Sequence, residues 1–187
     1  MLLFALPAAT FALTNTLGGL GRDFDASERF VGLVGGVGAT VGGVFGALVA
    51  PRLARRFSLL ALYLLIGVAG ASFTLCLLVS ARTPALFALA MVGENVFQSA
   101  GFAVVNALAL LSIGKDNPFA ATQFALINAT VVVPITYMQF IDGRAYGWGG
   151  LQGTFAADAG ISIVACLAMA LLFATRWRDS MAPGATP

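Results

Sequence analysis

The stretch ALFALAMVGENVFQSAGFAVVNALALL occupies residues 85–111 and contains a single charged side chain, Glu94. A helix needs about 20 predominantly apolar residues to cross the hydrocarbon core of a bilayer. This stretch is long enough, and it is too long and too uniformly apolar for a barrel strand of about ten alternating residues. We therefore predict a membrane-spanning helix here, because a helix satisfies its backbone hydrogen bonds within the segment.

Five further apolar stretches flank this one, and the breaks between them contain the charges, prolines and glycines that lipid excludes. Together they predict six spans, at residues 2–20, 30–50, 59–79, 85–111, 121–141 and 154–175. The expected fold is an all-α transmembrane domain over residues 1–175, followed by a polar tail at 176–187.

Composition supports lipid as the main solvent of this chain. Its 187 residues are 59% hydrophobic and only 10% charged, whereas a soluble domain has about 25% charged residues. The net charge of +2 and the lack of a basic run argue against a nucleic-acid partner. There is no histidine, and Cys76 and Cys166 lie in apolar stretches, where they are expected to act as small hydrophobes. We predict no metal site and no cofactor.

Basic residues give a weak indication of orientation. If the chain starts inside the cell, the loops and tail on the inner side contain six Arg or Lys residues and the outer loops contain four. Arg52, Arg55 and Arg56 add to this bias because they abut one helix end. The prediction is an integral membrane protein with its C-terminus in the cytoplasm.

Glycines crowd the second span, and Gly38, Gly42 and Gly46 recur at four-residue spacing, which places them on one face. Small residues allow helices in lipid to approach closely. We predict that this face packs against another helix. Static packing and a smooth surface that lets helices rock during transport are both consistent with the pattern.

The fourth span has a polar stripe around its only acid, about 15 Å from the outer end at 1.5 Å per residue. An ionisable residue at that depth suggests function by default. No basic residue lies in any predicted span, so Glu94 is suited to bind and release a proton. The alternative is that a missing half or a cationic substrate supplies a positive partner. The predicted pathway residues are Glu94, Asn95, Gln98 and Asn106 here, Asn15 in the first span and Gln123 in the fifth, with Asn128 and Asp158 as secondary candidates. The alternatives are a polar knot that only holds helices together and, for Asp158, solvation from the outer rim.

Four short segments carry a resemblance to a known family: GENVFQSAG around Glu94, AATQFALI at 120–127, DGRAYGWGG at 142–150 and PRLARRF at 51–57. Together they resemble the C-terminal half of major facilitator transporters of the peptide–acetyl-CoA–drug transporter group, which includes the muropeptide permease. The basic loop departs from the family pattern, because Pro51 stands where an aspartate is usual and Ala54 where a glycine is usual.

The resemblance implies that the six spans correspond to helices seven to twelve of a twelve-helix transporter. In such folds the first and fourth spans line the cavity, which places Asn15 and Glu94 on the pathway and Asp158 on a peripheral helix. It further implies a protein of the bacterial inner membrane, a small-molecule substrate and proton coupling. The implied partner is a missing N-terminal six-helix half or a second copy, so a fragment, a split gene product and a dimerising half-transporter all fit.

The function expected from the sequence is therefore a secondary-active carrier, or half of one, that works by alternating access. The alternative is a truncated membrane remnant or scaffold that transports nothing. An intramembrane enzyme is disfavoured, because there is no HExxH pair, no histidine and no paired carboxylates within one span. We accordingly predict no catalytic residues.

Overall fold

A computed structural model describes residues 11–114 and 116–180, with the side chains described as far as residue 174. Every regular element in these ranges is helical, and they contain no strand. The beginning of the predicted first span, up to residue 10, lies outside the described residues. The rest of that span is helical, which agrees with the all-helical prediction.

The elements follow the order of the predicted spans. Helix α1, Leu13–Leu17, continues as a 3₁₀ helix over Gly18–Phe24. Helix α2 covers Glu28–Leu53 and includes a π-helical stretch at Val34–Gly38. Helix α3 is Leu59–Leu78, and α4 is Pro84–Ile113. A last helical element of 61 residues covers Ala120–Ser180.

Gly150 divides the last element into two helices, α5 at 120–149 and α6 at 151–180. Its backbone angles, φ 57° and ψ −148°, are not helical, and only glycine adopts them at little cost. The two helices fold back on each other. The hydrogen bond from the Thr154 hydroxyl to the Asp142 carbonyl, 3.2 Å long, joins them next to the turn. A Cβ added to Gly153 would overlap the carbonyl of Ala145. The pair is an antiparallel hairpin with its turn at Gly150.

The prediction that residues 142–150 form a loop is wrong. Helix α5 runs through this segment to residue 149, and the reversal needs only Gly150. The charges and glycines of DGRAYGWGG suggested a loop, but Asp142 and Ala145 are buried at 1% and 8% exposure. The segment packs against α6 through these positions, and this packing explains why it stays helical.

Side-chain caps explain where three helices begin. Ser27, Ser58 and Thr83 each have extended backbone angles and accept a hydrogen bond from the amide three residues on. Such caps satisfy one of the free amides in the first helical turn. Pro84 directly follows Thr83 in the first turn of α4, where its missing amide proton is not needed.

Four helical stretches are long and apolar enough to cross a membrane: Glu28–Leu53, Leu59–Leu78, Pro84–Ile113 and Ala120–Ala174. The last of these contains the Gly150 turn, so it supplies two antiparallel arms. The outer face of α2 exposes large apolar side chains at 57–61% of their surface, namely Leu33, Val37, Val41, Val44 and Leu48. A contiguous apolar surface of this kind is rare on soluble monomers. The described structure is thus compatible with an integral membrane protein.

Helix α4 packs against α2, α3 and the start of the described chain. The glycine face of α2 packs on it, since Cβ atoms at Gly38 and Gly42 would come within 3.2 Å and 2.5 Å of Val92 atoms. One turn further along, a Cβ at Gly46 would overlap the Val96 carbonyl. From α3, Phe73 packs on Phe97 with ring centroids 5.6 Å apart. Near the start of the described chain, the Phe11 ring lies against Gly101 of α4.

We expect Gly42→Ala to destabilise the bundle by about 1–3 kcal/mol, the usual cost of overpacking. The new Cβ would lie 2.5 Å from a backbone oxygen, which cannot rotate away as a side chain can. The control is Gly32→Ala in the same helix, where nothing lies within 4 Å of the added Cβ. The measurement is the free energy of unfolding in mixed detergent micelles. Equal stability of the two variants would show that the contact between α2 and α4 is not close.

Candidate functional site

Buried polar side chains concentrate in one part of the bundle. The described residues that are polar or charged and almost fully buried come from α3, α4, α5 and α6; they are Thr74, Glu94, Asp142, Thr154, Asp158 and Ser162. Three of the six are carboxyl groups. We call these six residues the buried polar cluster.

Glu94 is 2% exposed and its Oε1 accepts a hydrogen bond from the Thr74 hydroxyl at 2.6 Å. The same hydroxyl lies 3.2 Å from the carbonyl of Gly70, one turn earlier on α3. A hydroxyl has one proton to donate and can also accept. Thr74 can therefore donate to an ionised Glu94, or turn its proton to Gly70 and accept one from a protonated Glu94. This contact serves both protonation states of the carboxyl.

The α5–α6 hairpin contributes the other two carboxyl groups. Asp142 and Asp158 are each 1% exposed, and the carboxyl group of Asp158 lies within electrostatic range of those of Asp142 and Glu94. Both carboxylate oxygens of Asp142, Oδ1 of Asp158 and the Ser162 hydroxyl have no hydrogen-bond partner among the described residues. Unsatisfied buried polar groups are uncommon in folded proteins and call for an explanation.

The structure corrects the prediction for both aspartates. Asp142 was expected in an outer loop, yet it lies on the buried face of α5. Solvation of Asp158 from the outer rim, the alternative left open for this residue, is wrong, because Asp158 is as deeply buried as Glu94. Its position on a peripheral helix of the larger fold stays a prediction. The spacing of Thr154, Asp158 and Ser162 at four-residue intervals is the signal that could have revealed this polar face of α6.

Two residues of the predicted polar stripe on α4 form hydrogen bonds with other parts of the chain. The Gln98 amide donates to the Phe11 carbonyl at 2.9 Å and to the Thr14 hydroxyl at 2.5 Å. It thereby holds the first helical segment against α4. The Asn95 amide donates to the Met91 carbonyl of its own helix at 2.8 Å. The contacts of Gln98 are of the kind expected if the stripe holds helices together, whereas the Asn95 contact stays within α4.

Four other predicted pathway residues lie apart from the cluster. Asn15 and Gln123 are exposed, and Gln123 accepts a hydrogen bond at 2.9 Å from Asn117 in the loop before α5. Asn106 is half-buried on α4, about 18 Å along the helix from Glu94 at 1.5 Å per residue. Asn128 is half-buried as well and donates to the Phe124 carbonyl of its own helix at 3.1 Å. The structure does not bring these four side chains together with Glu94.

The cluster is not arranged as a metal site, since no group of three His, Cys, Asp or Glu side chains among the described residues could hold a metal ion. A cavity of about 540 Å³ lies elsewhere, on the outside of the α5–α6 hairpin, where Phe140, Arg144 and Trp148 line it. It includes none of the cluster residues. Trp148 is 85% exposed there, near the turn.

Comparisons with known proteins add no further constraint: no family model, no curated protein and no solved structure matches this chain.

Proposed function

We propose that this chain is a secondary-active transporter of the major facilitator type, or the C-terminal six-helix half of one, that moves a small solute with coupling to protons. The observation that carries the proposal is Glu94, a carboxyl 2% exposed among helices of membrane-spanning length. Intramembrane carboxyl groups of this kind are expensive to keep and commonly serve proton relays.

The surroundings of Glu94 support proton exchange rather than a fixed charge. Among the described residues the only salt bridge joins Arg22 and Glu28, whose side chains are 89% and 91% exposed. Glu94 thus has a neutral hydroxyl as its partner, from Thr74, and not a cation. A proton on Glu94 would reverse the direction of this hydrogen bond between α3 and α4. Protonation would in this way change the contact between α3 and α4. Alternating access requires such changes in the contacts between helices.

The proposed assembly follows from the resemblance in the sequence. Major facilitator proteins place the substrate site between two six-helix halves, near the midplane. The second half would be a separate six-helix partner or a second copy of this chain. In this arrangement the protein lies in the bacterial inner membrane with its C-terminus in the cytoplasm.

The alternative function is a membrane scaffold or remnant that transports nothing. The contacts of Gln98 with Phe11 and Thr14 favour it, because they are ties that hold helices together. They do not explain why Asp142 has two buried oxygens without partners in the same bundle. A scaffold gains nothing from such a group, since an unsatisfied buried carboxyl lowers stability.

Reconstitution into liposomes that contain a pH-sensitive dye tests the proposal. The solutes are a sugar-peptide and acetyl-CoA, chosen as two different cargoes of the group that the sequence resembles. The expected result is proton movement that starts on addition of one of these solutes and is absent from protein-free liposomes. Folded protein that moves no protons with either solute, alone or together with a six-helix partner encoded beside it, would favour the scaffold.

A further inference from the structure

Asp142 and Asp158 lie within about one helical turn of each other along the α5–α6 hairpin, since Thr154, four residues before Asp158, contacts Asp142. Contacts between the two helices at Thr154 with Asp142 and at Gly153 with Ala145 show that the arms are closely packed at this level. The two carboxyl groups are therefore held near each other in a site that water barely reaches.

The cluster has too few hydrogen-bond donors. An ionised carboxylate can only accept, and the three unpartnered carboxylate oxygens of Asp142 and Asp158 find no donor among the described residues. Ser162, one turn from Asp158 on the same helix face, is 0% exposed and its hydroxyl also lacks a partner. The hydroxyl of Ser162 therefore does not donate to these carboxylate oxygens, and the three oxygens gain a donor only if a group such as a proton is added.

The charged groups around the pair offer no compensation. The carboxyl group of Asp158 lies within electrostatic range of Asp142 and Glu94, and both of these are acids. From the first helical segment, Phe24 packs against Phe155 of α6, and α3 contributes the neutral Thr74. The titratable groups nearer the turn are Arg82, which lies beside Gln152 and Ala156 of α6, and Arg144 and Tyr146 of α5. All three are exposed, and Tyr146 donates to Asp23 at 3.1 Å. Cys166, two turns below Asp158 on α6, brings no positive charge.

We propose that Asp142 and Asp158 form a proton-binding pair that retains at least one proton at neutral pH in the folded protein. A proton converts one acceptor oxygen into a donor, which supplies the missing hydrogen bond between the two carboxyl groups or to Ser162. It also reduces the repulsion between two like charges in a buried site, where ionising both carboxyl groups is costly. The added group is a proton alone, so no further reactant is needed.

This proposal does not depend on the proposed transport function. A proton bound at the pair is detectable in the purified protein whether or not the chain moves a solute. The pair also differs from Glu94, which has Thr74 as its partner. Binding at this pair would hold the two arms of the hairpin together. Loss of the proton would place a second negative charge between them and push the arms apart.

Infrared spectroscopy of the purified chain in detergent tests the proposal without any substitution. Protein labelled with ¹³C at the aspartate carboxyl carbon is compared with unlabelled protein at neutral pH, in buffers with and without sodium. We expect a protonated-carboxyl C=O band that shifts on aspartate labelling and is present in both buffers. If no band shifts, every aspartate is ionised and the proposal is wrong. A band that appears only after sodium is removed would identify the added group as a sodium ion instead, which also overturns it.

Two variants then assign the band. In the double variant Asp142→Asn with Asp158→Asn, which keeps the shape and stays neutral, we expect the aspartate-sensitive band to disappear entirely. The matched control is Asp116→Asn, since Asp116 is exposed to water in the loop before α5 and lies outside the buried polar cluster. This control should leave the band unchanged. Retention of the full band in the double variant, with size-exclusion chromatography showing folded protein, would place the proton elsewhere and contradict the proposal.

Discussion

Glu94→Gln is expected to reduce solute-driven proton movement to the level of protein-free liposomes while the protein still folds. Glutamine keeps the shape of glutamate and can accept the hydrogen bond from Thr74, but it cannot take up or release a proton. The side chain is 2% exposed and lies in the cluster with Asp142 and Asp158, so no water-exposed carboxyl can replace it at this position. Exchange of labelled solute across the membrane can survive, since exchange need not move protons.

The matched control is Glu28→Gln, because Glu28 is 91% exposed and pairs only with Arg22 at the surface. This variant should transport like the parent. Thr74→Val adds a second readout, since it removes the hydroxyl that serves both protonation states of Glu94. It should change how the transport rate depends on pH without abolishing transport. Parent-like proton movement and a parent-like pH profile in Glu94→Gln would reject the proton-relay role and leave Glu94 as a packing residue.

Phe24→Ala is expected to destabilise the protein by about 3–5 kcal/mol, the usual cost of truncating a buried phenylalanine. Phe24 ends the 3₁₀ segment and is 0% exposed. Its ring centroid lies 5.8 Å from that of Phe87 on α4 and 6.4 Å from that of Phe155 on α6. The truncation would leave a cavity where the first helical segment, α4 and α6 meet.

Phe119→Ala is the control for this truncation, since Phe119 is 67% exposed in the loop before α5. It should change stability by less than about 0.5 kcal/mol, as surface substitutions usually do. The measurement is the free energy of unfolding of both variants in mixed detergent micelles. A similar loss for the two variants would show that Phe24 does not join these helices, and the packing of the first segment would need revision.

Several features of the fold could be predicted from the sequence because each depends on a single segment. Runs of apolar residues long enough to cross a bilayer predict helices, since each helix satisfies its own backbone groups whatever its neighbours are. The all-helical prediction is confirmed for the described residues, and α3, at Leu59–Leu78, differs by one residue from its predicted span. The stronger assignment, to half of a major facilitator fold, stays a prediction.

Which side chains are buried, and which hydrogen bonds they form, depends in contrast on which faces of different helices meet. Asp142 stands among charges and glycines that suggest a loop, and only its packing against α6 shows that it is buried. The sequence singles out Glu94 by its surroundings in the span, but it gives no indication of Thr74, twenty residues earlier on another helix.

The sequence by itself thus determined the helical, lipid-compatible character of this protein. Hydropathy, and the hydrogen bonding of backbone groups within a helix, both depend on the residues of a single segment. Tertiary structure alone decided where the chain reverses and which polar groups share one site. At Gly150 a single positive φ converts one long helical stretch into a hairpin. That reversal brings Asp158 to within about one helical turn of Asp142, because Thr154, four residues before Asp158, contacts Asp142 only after the two arms have packed.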